Sequence, residues 1–389
     1  MSKRWLLPDG VEEILPREAA QIERLRRQIL DLYQSWGYEF VIPPLLEFSD
    51  SLLSGLSQDI KQQTIQFGDR MSSRLLALRA DITPQIARMD AHTLASGDDQ
   101  ELNRFCYVGS VVKNQLSHGA TSRVPVYAGA ELYGDSSVSA DSEVITLMLE
   151  TLSTCGLNDV HLDLGHVDVY RQLVAAADLN ESEQATLFDA IQRKAQLDID
   201  ALLNEFDISA ELRACLSQLA SLHGDETILA TAREVLKHAP PAVLTAIDEL
   251  GVLAKKVKAR CGDAVTFYFD LSELRAYGYH TGLVFSALVP GLGRAIAKGG
   301  RYDCVGGGFG RARPATGFQI EVKSLARLLV NADEEPTPVV ALEQDQAEFW
   351  SAVRALRQSG EVVVCTHDEA LYNASARQLV LSGGEYVVG

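Results

Sequence analysis

Four short stretches of this chain hold residues whose types and spacing could do chemistry. Residues 105–134, FCYVGSVVKNQLSHGATSRVPVYAGAELYG, set Lys113, Arg123 and Glu131 among Tyr107 and Tyr127. Lys113 supplies a point charge on a flexible stem, whereas Arg123 offers a planar fork that grips an anion with two bonds. Glu131 is a carboxylate that either meets a ligand or is buried against Arg123 or a tyrosine. In LLALRADITPQIAR, residues 75–88, the Asp81 carboxylate suits an ammonium ligand. It equally suits the cap of a following helix, which Thr83-Pro84 would start with Thr as cap and Pro in the first turn. In ELRAYGYHTGLVF, residues 273–285, Arg275 either pairs with a ligand carboxylate or sits on an exposed turn; Tyr279 and His280 line a pocket or fill a core. GGRYD, residues 299–303, has glycines that let backbone pack close to a ligand. The nearby GGGFG, residues 306–310, lacks the Lys-Ser/Thr of a phosphate loop, so that chemistry is set aside.

The elements that must position these residues can be read from pattern. Ile22, Leu25, Ile29, Leu32 and Tyr33 recur at spacings of three and four, which predicts a helix over 17–34 that stops at Gly37. YEFVIPPLLEF then reads as an extended segment with Pro43 and Pro44 near its end. A strand is expected at 75–78 and another over 160–170, with Val160, Leu162 and Leu164 on one face. From about 180 to 260 glycine is scarce and Leu, Ala, Glu and Lys recur with helical period, so an all-helical insertion is expected. Strand character returns at 266–271. Residues 278–291 and 294–303 read as adjacent antiparallel strands, and 317–330 as strand then helix. A polar, proline-bearing linker follows at 331–338. The last fifty or so residues, 339–389, read as a small α/β domain.

Composition narrows the class. The 389 residues are enough for two or three domains with a sizeable core. The net charge of −18, from 35 basic and 53 acidic residues, argues against a broad nucleic-acid surface. Six widely spread cysteines without a CxxC pair argue against zinc and for reduced thiols in a cytoplasm. No apolar run of about 18 residues is present to span a membrane, and the N-terminus lacks the apolar run of a signal peptide.

The chemistry-bearing stretches share an order that resembles the class II aminoacyl-tRNA synthetases, in the version carried by histidyl-tRNA synthetases. The resemblance covers roughly residues 5–330. Tyr107, Gly109, Arg123, Gly129 and Glu131 fall in register with motif 2 of that family. Residues 17–47 resemble motif 1, the homodimer interface of the class. ELRAYGYHTGLVF and GGRYD resemble its histidine A and B motifs. The implied fold is α+β: an antiparallel sheet flanked by helices, with the helical insertion and the small C-terminal domain appended. The implied histidine-binding residues are Asp81 and Thr83 at the amine, Glu131 at the imidazole, Arg275 at the carboxylate, and Tyr107, Arg123, Tyr127, Tyr279 and His280 around them. Tyr127 stands where the family has a glutamine, which removes an amide acceptor for the amine.

The adenylate machinery departs from the family. The motif 2 arginine that grips the α-phosphate is Lys113, and its glutamate is Gln115. Motif 3 reads GFQIEVKS, with Glu321 for a glycine and Ser324 for the arginine that contacts ATP. Two lost charge-assisted contacts at ~1.5–3 kcal/mol each, with repulsion from Glu321 added, remove ~4 kcal/mol or more, about a thousandfold. A frame that keeps the amino-acid pocket and loses ATP resembles the regulatory subunits of ATP phosphoribosyltransferase. That resemblance implies no catalytic residue, no cofactor and no metal in this chain. It implies a short-form catalytic subunit as partner in a hetero-octamer, a homodimer through the motif 1 region, L-histidine as effector, and no tRNA or membrane. Two other readings stay open: a divergent ligase joining histidine to tRNA or protein, and a histidine sensor with another partner.

Overall fold

The computed structural model describes residues 6–54, 58–93, 101–116, 119–274, 277–329 and 337–389. The chain divides into two compact units, Met1–Leu329 and Val330–Gly389. Arg275 and most of the expected linker lie outside the described residues.

The larger unit is organised by a nine-stranded sheet. Its strands are β1 (Glu39–Phe40), β5 (Asn103–Ser110), β6 (Val126–Tyr133), β7 (Val160–His166), β8 (His223–Gly224), β9 (Val265–Asp270), β10 (Leu283–Leu288), β11 (Ala297–Arg301) and β12 (Ala315–Glu321). They lie in the order β1-β5-β6-β12-β11-β10-β7-β9-β8. The centre is antiparallel, while the β1–β5 and β7–β9 pairs are parallel. A separate sheet joins β2 (Leu46–Phe48), β3 (Ile65–Gly68) and β4 (Leu75–Leu78) in the order β2-β4-β3.

Side chains alternate across a strand, and here the alternation separates core from site. On β6, Ala128, Ala130 and Leu132 are buried in the core beneath the helices, as are Phe318 and Ile320 on β12. The Tyr33 ring of the first helix, Pro16–Ser35, meets Phe318 edge-on at 5.9 Å. The intervening residues face the other way. Cross-strand register pairs Tyr127 with Glu321, Gly129 with Gln319, and Glu131 with Gly317. It then pairs Gln319 with Lys298 and Gly317 with Gly300 on β11.

Two expectations need local correction. The Pro43-Pro44 pair splits the extended segment after the first helix into β1 and β2, which join different sheets. Proline cannot donate to a ladder, so one continuous strand could not form there. The strand from Val160 ends at His166, where a helix begins at Val167; the His166 ring accepts the Asp168 amide and caps it. Helices fill the insertion as expected, the last running Pro241–Cys261, although the two-residue β8 also lies within it.

The smaller unit has a four-stranded sheet, β14-β13-β15-β16, from Val339–Leu342 (β13), Val363–Thr366 (β14), Gln378–Ser382 (β15) and Glu385–Val388 (β16). Phe349 and Val353 of the helix Ala347–Gln358 are buried against Val339, Ala341, Val363 and Leu379.

Candidate functional site

A cavity of about 890 Å³ lies over the exposed face of the central sheet. Asp81, Thr83, Lys113, Glu131, Tyr279, His280 and Tyr302 line it, so four separate stretches of sequence converge there. Its floor under Glu131 is Gly317 and Gly300. A Cβ at Gly317 would run into the Glu131 carboxylate, and one at Gly300 into the His280 ring and the Leu283 carbonyl. These two positions must stay without side chains for the pocket to exist.

Glu131 is the centre of one end. Its side chain is only 1% exposed. Three hydroxyls donate to it: Tyr302 at 2.5 Å, Thr83 at 2.8 Å and Tyr107 at 3.2 Å. Burial nonetheless pushes its pKa up to about 8, because the hydroxyls only partly offset the desolvation of a buried charge and Asp81 adds repulsion. Glu131 therefore pairs with tyrosines and a threonine, and Arg123 takes no part. The Tyr279 ring stacks on Tyr302 at 5.4 Å and meets His280 edge-on at 5.2 Å, which gives this end aromatic walls. The Tyr279 hydroxyl is buried without a hydrogen-bond partner among the described residues. Burial lowers the His280 pKa to about 4, so the ring is neutral; Nδ1–H donates to the Arg301 carbonyl at 3.3 Å and leaves Nε2 an acceptor.

Thr83 does not cap its helix. It is the first residue of Thr83–Arg88, and its hydroxyl goes to Glu131 instead. Asp81 takes over the start of that helix: Oδ1 accepts the Thr83 amide at 3.1 Å. Its other oxygen accepts Gln319 Nε2 at 3.4 Å. Asp81 thus combines both roles open to it, a cap with one oxygen and a cavity group with the other.

The other end departs from the synthetase pattern in a way the sequence did not reveal. Glu321 does not repel into open space. Arg294 donates to it at 2.5 Å and to Ser324 Oγ at 2.6 Å, and one guanidinium ties the two altered motif 3 positions together. Neither Glu321 nor Ser324 lines the cavity. Lys113 points to the Tyr127 hydroxyl at 3.3 Å, and burial, then the charge of Lys298, lower its pKa. Gln115 is exposed.

Three residues expected at the ligand stand elsewhere. Arg123 spends its guanidinium on the Lys113 carbonyl at 2.9 Å and the Asp9 carbonyl at 3.5 Å, so it clamps the chain beside the pocket. Its stem also packs against Gly10, which holds it away from the cavity. Tyr107 stands behind Glu131 as a donor, and Tyr127 holds Lys113; neither lines the cavity. Tyr302, Gln319 and Lys298 do line it and were not among the expected site residues. Tyr302 was within reach of sequence reasoning, since it is the tyrosine of GGRYD. Gln319 stands at an unspecified position of motif 3 and Lys298 just before GGRYD, so their place in the cavity becomes visible only through strand register.

Among the described residues no cluster of His, Cys, Asp and Glu could hold a metal ion. No described helix is long and apolar enough to cross a membrane.

Comparison with known proteins agrees with this geometry. Residues 10–325 match the family model described as histidyl-tRNA synthetase, and residues 336–389 match that of the ATP phosphoribosyltransferase subunit HisZ C-terminal domain. The ATP phosphoribosyltransferase regulatory subunit of Ectopseudomonas mendocina is 51% identical over 362 residues, covering 93% of this chain and 90% of that one. Its counterpart in Pseudomonas aeruginosa is 48% identical over 390 residues, covering 99% and 98%. A crystal structure described as an ATP phosphoribosyltransferase regulatory subunit/histidyl-tRNA synthetase from Bacillus halodurans superposes with a TM-score of 0.81 at 27% identity, covering 95% of this chain and 94% of that one. Histidyl-tRNA synthetase from Nostoc, at 19% identity and a TM-score of 0.78 over 100% and 97% of the two chains, shares the fold. The cavity that keeps Glu131 and Asp81, with the motif 3 positions tied up beside it, thus sits in a chain that belongs to the family of ATP phosphoribosyltransferase regulatory subunits, built on the histidyl-tRNA synthetase fold.

Proposed function

We propose that this chain is the regulatory subunit of an ATP phosphoribosyltransferase: it performs no catalysis, activates a short catalytic subunit and carries histidine feedback to it. One observation carries the reading. The cavity keeps a buried carboxylate with aromatic walls, while beside it Arg294 binds Glu321 and Ser324 at the positions that would serve ATP. In this reading Asp81 holds the histidine amine, Glu131 the imidazole, and Thr83, Tyr107 and Tyr302 hold Glu131. The partner supplies the chemistry on ATP and phosphoribosyl pyrophosphate.

The assembly we propose is a hetero-octamer in the cytoplasm, with this chain first paired to a second copy of itself. Phe40, Ile42, Leu45 and Leu46 of the motif 1 region are exposed apolar residues, Ile42 at 78%. Such a cluster supports an interface. A monomer by sedimentation at micromolar concentration would count against it.

The deciding experiment is histidine-dependent exchange between ATP and pyrophosphate on the isolated chain. Background exchange is expected, and a strong signal would establish the ligase reading instead. Co-purification with a short phosphoribosyltransferase is expected as well; its failure would favour a sensor with another partner.

A further inference from the structure

Beyond the Glu131 end, the cavity floor holds polar groups that a synthetase motif does not account for. One register row runs Gly129, Gln319, Lys298, Ser286 and Asp163 across five adjacent strands. All but Gly129 line the cavity. Two atoms in this row are buried and unpartnered: Gln319 Oε1 and Ser286 Oγ. The Gln319 orientation is fixed, since Asp81 can only accept, so Nε2 must face it and Oε1 is left aimed away as an acceptor.

Two cations face this floor, although the carboxylates of Asp81, Asp163, Asp270 and Glu273 line the cavity as well. Lys113 and Lys298 line the same cavity, and neither makes an ion pair with a carboxylate among the described residues. Lys113 is partly desolvated and also feels the charge of Lys298, which stands exposed at the mouth of the cavity, so an anion within reach of both would relieve Lys113. Glu321 is nearby, yet Arg294 already holds it. The site therefore has room and charge for one anionic group between the two lysines. It has an acceptor pair, Asp81 and Gln319 Oε1, for one cationic group beside it.

An anion next to an ammonium describes the α-carbon end of a free amino acid. The spacing agrees with Glu131 reading its side chain. Lys298 stands two strands across from Glu131, about 10 Å, and one register row along, about 7 Å. A lysine stem and one histidine together cover that diagonal.

Resting on the reading of this cavity as a histidine site, we propose that Lys298 and Lys113 form a carboxylate subsite, with Gln319 and Asp81 at the amine, so that the chain recognises histidine as the free zwitterion. Lys298 is the specificity-determining residue. A ligase must leave the carboxylate open to the α-phosphate; here two ammonium groups close on it. The subunit then responds to the finished amino acid and ignores derivatives whose carboxylate is reduced, esterified or lost.

Calorimetric titration of the full-length chain tests this with L-histidine, L-histidinol and inorganic phosphate. The chains are the wild type, Lys298→Met and Lys298→Arg, each checked for an unchanged melting curve. L-histidinol is expected to bind wild type at least about tenfold more weakly than L-histidine, in line with a lost charge-assisted bond. Lys298→Met should weaken L-histidine by about tenfold and leave L-histidinol within about twofold, while Lys298→Arg restores most of the loss. Equal binding of the two ligands to wild type, or an equal loss of both in Lys298→Met, overturns the subsite and leaves the histidine reading standing. Lys298-dependent binding of phosphate alongside Lys298-independent binding of histidine assigns the anion to a phosphate and likewise overturns it. No L-histidine binding to wild type rejects both the subsite and the histidine reading beneath it.

Discussion

The cavity around Glu131 and the Arg294 cluster beside it have had opposite fates. At the Glu131 end the hydrogen bonds converge on a single carboxylate from three different elements, and the glycines beneath it leave a ligand-sized space. At the Arg294 end the two altered motif 3 positions, Glu321 and Ser324, are both held by one guanidinium. The first end is costly to maintain, since a buried carboxylate with a raised pKa favours neither folding nor solubility. Groups of this kind cluster at functional sites, which supports the proposed histidine reading. The second end is a low-cost arrangement, an ion pair between partly buried side chains. The contrast teaches that loss of an activity need not leave a hole: the old machinery can be rewired into the scaffold.

The largest effect is expected from Glu131→Ala and Asp81→Ala. Removing a buried partner costs ~1–3 kcal/mol, so each should weaken histidine binding by roughly ten- to a hundredfold in calorimetry. Unchanged affinity in both variants would move the histidine site elsewhere, such as a subunit interface. Next comes Arg294→Met, which leaves Glu321 buried without its cation. A loss of roughly 2 kcal/mol is expected once the partial exposure of Arg294 is discounted, seen as a Tm lower by a few degrees. Histidine affinity should stay within about twofold, because the altered pair belongs to the other end. A large loss of affinity would show the two ends to be one element.

A smaller effect follows from protonation. Glu131 has a folded pKa of about 8 against an ordinary 4.5. The folded chain therefore keeps its proton where the unfolded chain gives it up. The associated stability is fully present below about pH 4.5 and is lost as pH rises toward about 8. Glu131→Gln, which mimics the neutral carboxyl, should gain in Tm relative to wild type across that window without ligand. Parallel Tm–pH curves for the two chains would contradict the burial argument.

Much of the fold was legible because its signals are local. The first helix, β4, the β10–β11 pair and the helical insertion all follow from short-range periodicity, and the motif order tied them to one architecture. The site was legible to the extent that motifs cover it. Glu131, Asp81, Thr83, Tyr279 and His280 do line the cavity. What escaped was cross-strand. Tyr302 and Glu131 are 171 residues apart in the chain, and only register brings Gln319 and Lys298 beside the motif residues. Arg123 misled for a related reason. A motif position fixes where an arginine's backbone lies, but its long stem can serve either side, and here Gly10 and two carbonyls claim it. Glu321 looked repulsive because its partner, Arg294, sits 27 residues earlier, outside any motif.

The central claim is that histidine sensing and partner activation live in one chain but depend on separable contacts. A ligand shifts an equilibrium only through different affinities for the two states, so removing the sensor need not remove the activator. The direct test is turnover of the short catalytic subunit assembled with wild-type or Glu131→Ala chain across a histidine titration. Both assemblies should show raised turnover without histidine, and only the wild-type assembly should be inhibited as histidine is added. An assembled Glu131→Ala complex that fails to activate, or one that histidine inhibits as strongly as wild type, would contradict the account.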